Sequence, residues 1–256
     1  MNALSWQVSA ATDKGCVRKD NQDNYYISPE GKVFVVADGM GGEAGGALAS
    51  RLAVEAVAGL FAEQKPESDD EQDIQRWLFE AVSRANTAVY AERCNNPKTR
   101  RLGTTIVVAV QTEGGRLHIA HLGDSRAYRI SADGAISVLT QDHSVAFELV
   151  LLGKLALEQY ESSPFRNYLT RCVGHDAQVK MDQSPCNVGA GDWILLCTDG
   201  LTGEVREGEI AQIVTAAATP EEACQKLIEL TLERGAKDNV TVLCAQYADK
   251  TALINA

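Results

Sequence analysis

The order of elements legible in this 256-residue chain predicts an α+β protein, a four-layer α-β-β-α sandwich on two mainly antiparallel sheets. Two observations predict it. Short strand candidates punctuated by Glu113-Gly114-Gly115 and Ala132-Asp133-Gly134 read as hairpins, and hairpins build antiparallel sheets. The amphipathic helices come in two segregated pairs, which suits helix layers outside a pair of sheets better than alternating βα units.

The elements follow in order. Leu4 to Ala11 and Asn24 to Ser28 read as strands, and Pro29-Glu30-Gly31-Lys32 turns into an apolar strand from Val33. Ala44 to Gln64 spaces Leu48, Leu52, Val54, Val57, Leu60 and Phe61 along one helical face. After the acidic break from Pro66 to Glu71, a second helix runs from about Gln72 to Cys94 and stops at Asn95-Asn96-Pro97. Thr104 to Gln111, Leu117 to Leu122, Ala127 to Ile130 and Ala135 to Leu139 are strand candidates. Val145 to Leu152 is a short helix, and the chain to about Arg166 is irregular. Strands at Val179 to Pro185 and Trp193 to Thr198 precede helices at Glu207 to Ala217 and Pro220 to Arg234, and Val240 to Tyr247 is the last strand. With no linker or repeat, one domain over residues 1–250 and a tail at 251–256 is expected.

A net charge of −11 argues against nucleic acid as a partner, since phosphate backbones recruit basic surfaces. Apolar and charged contents of 45% and 23% are those of an ordinary globular protein. The N-terminus has neither a basic n-region nor an apolar h-region, and no apolar run approaches the roughly 18 residues that span a bilayer. A cytoplasmic protein without membrane attachment is therefore expected. The seven Cys are scattered with no CxxC pair, which fits neither a disulfide framework nor a zinc site.

Chemistry is concentrated at the ends of strands. The run Val33 to Ala37 ends on Asp38, followed by Gly39-Met40-Gly41-Gly42. Gly39 has no side chain, so its carbonyl and a ligand can approach each other closely. Taken alone, Asp-Gly is an ordinary turn. The pattern recurs, however, in Trp193 to Thr198 followed by Asp199-Gly200, in Asp238 before the strand from Val240, in Asp124 within Gly123-Asp124-Ser125, and in Asp23 before Tyr25. Carboxylates gathered at one edge of a sandwich repel one another unless cations lie between them. Oxygen-only ligands select hard ions, Mg²⁺ or Mn²⁺. Two such ions can share a carboxylate and acidify a water for attack on phosphorus. Arg18, a planar fork of permanent charge, suits two phosphate oxygens.

These residues carry a resemblance. The chain resembles the metal-dependent protein phosphatases, the PPM or type 2C family, in their bacterial branch. The matches keep family order: Arg18-x-x-Asn21-Gln22-Asp23, Asp38-Gly39-Met40-Gly41-Gly42, Gly103-Thr104-Thr105, Gly123-Asp124-Ser125-Arg126, Asp142-His143-Ser144, Leu169-Thr170-Arg171, Asp199-Gly200-Leu201-Thr202 and Asp238-Asn239-Val240-Thr241. Any one is weak, but eight in order over about 220 residues are not. The resemblance implies hydrolysis of phosphoserine and phosphothreonine in proteins by a metal-activated water, with a Ser/Thr kinase or its targets among the partners and a monomeric state. It implies that Asp38 bridges two Mg²⁺ or Mn²⁺ ions and that the Gly39 carbonyl serves the first. Asp23, Asp199 and Asp238 complete the coordination of the second ion, Asp124 helps to hold a weaker third ion, and Arg18 binds phosphate. A flap over about 145–166 influences substrate choice.

Two departures and two rivals complete the expectations. Some branches of the family place a proton-donating His after the Asp-Gly, where this chain has Met40, whose thioether has no proton to give. Glu43 and Ala47 stand where a His and a Glu are usual, and they are expected to shape the loop rather than the metals. Cys94 to Arg100 satisfies C-x₅-R, yet it follows a helix, lacks Gly and contains Pro97, so it cannot form a phosphate cradle of backbone N–H groups. A catalytically silent, metal-binding relative is the alternative from another class. His143 is expected to order a loop, and Arg51 and Arg171 to be structural.

Overall fold

The computed structural model describes residues 4–42, 45–66, 69–112 and 115–249. Glu43, the helix start at Ala44, the Glu113-Gly114 part of one hairpin turn and the tail 251–256 lie outside the described residues.

The strands are β1 (Leu4–Asp13), β2 (Asp23–Ile27), β3 (Val33–Met40), β4 (Gly103–Thr104), β5 (Ile106–Gln111), β6 (Arg116–Leu122), β7 (Arg126–Ile130), β8 (Ile136–Val138), β9 (Asp182–Asn187), β10 (Trp193–Cys197) and β11 (Val240–Asp249). The helices are α1 (Gly45–Glu63), α2 (Glu71–Asn95), α3 (Val145–Leu151), α4 (Asp199–Thr202), α5 (Glu207–Ala216) and α6 (Pro220–Glu233). One sheet has the order β1-β11-β10-β7-β8; the other runs β2-β3-β5-β6-β9, with β4 against the end of β3. The paired strands are antiparallel.

Period-two alternation explains the layers. In β3, Val33, Val35 and Ala37 pack under α1 and α2, while Phe34 and Val36 face the opposite sheet. In β10, Trp193, Leu195 and Cys197 lie under α5 and α6, and Ile194 and Leu196 face inward to meet Phe34 and Val36. Three apolar layers thus hold four layers of structure, and strands covered on both faces read as unbroken apolar runs. The expected sandwich is what forms.

Local differences have identifiable causes. The strand expected over Thr104 to Gln111 is broken at Thr105 into β4 and β5. The strand expected at Val179 to Pro185 is shifted to β9. It is an edge strand whose residues alternate between half-buried and exposed, so little apolar signal marks its start. The turn at Gly123-Asp124-Ser125 is not a hairpin, because β6 and β7 belong to different sheets. By length and composition, α1 alone among the described helices could cross a bilayer, although no such run was expected from the sequence. Half of it is buried, and Arg51 and Glu55 on it form an ion pair, as in a core helix of a globular protein.

Candidate metal centre and active site

The parity that builds the layers also aims the carboxylates. Asp38 continues the inward series of Phe34 and Val36, so its side chain points between the sheets at their rim. Asp23 is its register partner on β2 and faces the same way. Thr198 and Thr241 occupy the matching inward positions at the ends of β10 and β11. Their hydroxyls both donate to Asp23 Oδ2 at 2.8 Å, joining one sheet to the other.

Arg18, Asp38, Gly39, Asp124, Asp199 and Asp238 line one cavity of about 770 Å³. Asp23, its partner across the ladder, does not line it. Five of the six expected metal-binding residues therefore surround a common space, and the sixth, Asp23, is bound instead by Thr198 and Thr241. A larger cavity of about 1060 Å³ beside the flap contains none of these carboxylates.

The backbone around Asp38 is fixed. Its N–H donates to Thr105 Oγ1 at 2.9 Å, and its carbonyl accepts from Thr105 N at 2.8 Å and Thr104 Oγ1 at 2.7 Å. The Thr105 hydroxyl also lies 2.6 Å from Ser125 Oγ, so one side chain holds both Asp38 and the turn that carries Asp124. That turn is braced again by His143, whose Nδ1 accepts from Gly123 N at 3.1 Å, and whose Nε2 lies 3.2 Å from Asp182. His143 orders a loop, as expected, and Arg171 closes the group by binding both oxygens of Asp182.

The glycines also make room for neighbouring backbone. A Cβ on Gly39 would stand 1.9 Å from the Gly46 carbonyl oxygen, and one on Gly200 would stand 1.9 Å from that of Asn239. Each makes room for a neighbouring backbone, the first turn of α1 in one case and the approach to β11 in the other.

Arg18 Nη2 donates to Asp238 Oδ2 at 2.7 Å, and both side chains are open to solvent, at 56% and 37% exposure. The loop that carries Arg18 is pinned by Asn239, whose amide nitrogen donates to the carbonyls of Lys14 and Asp20 at 2.9 Å and whose Oδ1 accepts from Gln22 N at 2.8 Å. The stretch over about 145–166 is more ordered than its sequence suggests. Buried Arg126 grips Asp142 at 2.7 Å, Tyr160 donates to the same carboxylate, and Glu161 binds both Arg126 and Arg166.

Asn239, Thr105, Thr198 and Thr241 were missed as site residues. The first, second and last sit inside the quoted motifs, which is the signal that marks them; Thr198 has only its place before Asp199.

Electrostatics and hydrogen bonding test whether this set fits cations. Burial, then neighbouring carboxylates, raises Asp38 well above the usual carboxylate range, and Asp199 and Asp124 are raised for the same reasons. Burial pushes Asp23 up to about 7 even though two hydroxyls stabilise its charge. Asp23 Oδ1 and Asp199 Oδ1 are buried without a hydrogen-bond partner. Oxygens crowded, desolvated and partnerless in this way are donors suited to hard divalent cations. Among the described residues, His121, His143 and Asp182 also come within ligand distance of one another. The two imidazoles stack at 4.6 Å between centroids and Arg171 holds the carboxylate, so no cation can lie in both ring planes there.

Comparison with known proteins agrees with this geometry. Residues 12–239 match the family described as protein phosphatase 2C. The serine/threonine phosphatase stp of Listeria innocua is 32% identical over 238 residues, covering 92% of this chain and 93% of that protein. PstP of Mycobacterium tuberculosis is 35% identical over 96% of this chain, which spans 46% of the length of PstP. The crystal structure of the PstP catalytic domain in complex with two manganese ions superposes with a TM-score of 0.84 at 32% identity, over 96% of this chain and 100% of that one. The chain belongs to the protein phosphatase 2C family of metal-dependent serine/threonine protein phosphatases.

Proposed function

We propose that the chain hydrolyses phosphoserine and phosphothreonine in proteins at the cavity between the two sheets. The observation that carries this reading is the convergence of Asp38, Asp124, Asp199 and Asp238 on one space, with the Arg18 guanidinium at its edge. Asp38, Asp199, Asp238 and the Gly39 carbonyl would hold two Mg²⁺ or Mn²⁺ ions, with Asp124 serving a weaker third. Bound there, the ions neutralise phosphate charge and acidify a water for in-line attack. Arg18 orients the phosphate through its planar donors. Thr104 and Thr105 keep the Asp38 peptide from moving, so the carboxylate needs no reorganisation. Exposed Leu157 and Phe165 on the flap, with Tyr168 just beyond it, give an apolar surface for the protein around the phosphoresidue. A Ser/Thr kinase or its targets are the substrate class we favour, in the cytoplasm, with the enzyme a monomer.

Purified protein with millimolar Mn²⁺ is expected to hydrolyse both p-nitrophenyl phosphate and a phosphothreonine peptide. Asp38→Ala is expected to abolish both activities and weaken Mn²⁺ binding without unfolding the chain. Tight metal binding with no turnover on any phosphosubstrate would instead mark a catalytically silent relative.

A further inference from the structure

A serine or threonine alkoxide is a poor leaving group and needs a proton as its bond to phosphorus breaks. Met40 lines the cavity and has none to give. The same cavity has another wall. The end of β3 pairs with β4, Met40 opposite Gly103, and Thr104 pairs in turn with Val173. Two residues beyond Val173 stands His175, which lines the cavity together with Asp38, Asp124 and Met40. His118, His121 and His143 are buried and do not line it.

The segment around His175 is built rather than loose. Buried Asn86 on α2 accepts from Gly174 N at 2.7 Å and donates to the Asp176 carbonyl at 2.8 Å. Arg93 on α2 donates to the carbonyls of Gly174 and His175 at 3.1 and 2.6 Å. Gly174 adopts φ +85°, and a Cβ there would stand 2.2 Å from a Val89 methyl group, so the turn is seated directly on the helix. Its backbone is thereby fixed while the imidazole stays 62% exposed. The Asp176 carboxylate lies 3.2 Å from Nδ1, which leaves Nε2 as the nitrogen free for substrate. Cys172 lines the same cavity. Burial pushes its thiol up to about 11, too reluctant a donor for neutral pH.

We propose that His175 protonates the serine or threonine oxygen as it leaves, an assignment that rests on the phosphatase reading above. A water oxygen bonds to phosphorus, and the bond from phosphorus to the side-chain oxygen breaks with its electron pair on that oxygen. The Nε2 proton of the imidazolium completes the alcohol. The imidazole regains a proton from the product, which is left as monohydrogen phosphate.

The test compares leaving groups in the Mn²⁺-loaded enzyme. His175→Asn is expected to lower kcat on a phosphothreonine peptide about 100-fold, the usual scale of general acid catalysis. Loss on p-nitrophenyl phosphate, whose phenolate departs without a proton, should be at least about tenfold smaller. Imidazole added to His175→Ala should recover part of the peptide rate, and calorimetric Mn²⁺ affinity should match the wild type. Equal losses on both substrates, no loss on either, or weakened Mn²⁺ binding would overturn the assignment. So would the leaving-group-dependent loss appearing in Tyr168→Phe instead. A wild-type protein inactive on both substrates would overturn the phosphatase reading itself.

Discussion

Asp23 on β2 and Asp38 on β3 stand directly opposite each other in the antiparallel ladder, yet only Asp38 lines the cavity. Asp23 instead accepts the hydroxyls of Thr198 and Thr241 from the other sheet. Of two carboxylates one strand apart, one faces the cavity and the other ties the sheets together. Thr241→Val removes one of the two donors from a buried carboxylate and should cost about 1–3 kcal/mol in urea unfolding. Asp38→Ala should spare that stability while abolishing Mn²⁺-dependent turnover.

Gly39→Ala tests the backbone contact. The added methyl would meet the Gly46 carbonyl, which is fixed in the first turn of α1, rather than a side chain able to swing away. The loss should exceed the ~1–3 kcal/mol of ordinary overpacking, visible as a lowered melting temperature in the metal-loaded protein. Gly200→Ala should behave alike, whereas Gly59→Ala, at an open position on α1, should not destabilise.

His143 sets a pH dependence. Burial first, then His121 and Arg171, pushes its imidazole down to about 4 from an ordinary 6.5, against the pull of Asp182. A lowered folded value means a stability contribution that is complete above about pH 6.5 and is lost as pH falls towards about 4. Asp182, held down at about 2 chiefly by Arg171, loses its own contribution only below its ordinary 3.8. Burial that raises Asp23, Asp38, Asp124 and Asp199 acts in the opposite sense in both proteins, so the comparison isolates His143: between pH 6.5 and 4 the wild type should lose urea stability relative to His143→Gln.

Arg18→Lys separates charge from shape. An ammonium can meet one phosphate oxygen but cannot grip two in a plane. It should lower kcat/KM on a phosphothreonine peptide about 10- to 100-fold, the worth of a charged hydrogen bond. Arg18→Ala should lose at least as much.

Much of this was legible in residue order, for physical reasons. Strands covered on both faces leave apolar runs, so β3 and β10 and the Asp at the end of each could be read directly. Hairpin turns and paired amphipathic helices were enough for the four layers. What stayed hidden depends on partners far apart in sequence. Nothing local says that Thr198 and Thr241 turn to Asp23, 175 and 218 residues away. The break at Thr105 is masked by the apolar residues around it, and four-residue α4 is too short to show a helical period. The edge strand β9, half exposed and carrying Pro185, gave no clean alternation. His175 passed unnoticed because its place in the cavity comes from a bridge between Thr104 and Val173.

Phe34, Val36 and Asp38 share one side of β3, and that alternation makes the dry layer between the sheets a jig for the chemistry. Sliding β3 by a single position would turn Asp38 towards α1 and bring Ala37 to the rim. Apolar residues that never meet a phosphate therefore decide whether the acids meet at all. Thinning that layer, as in Phe34→Ala, would misalign the cage from a distance, and turnover would report the error before the circular dichroism of the sheets did.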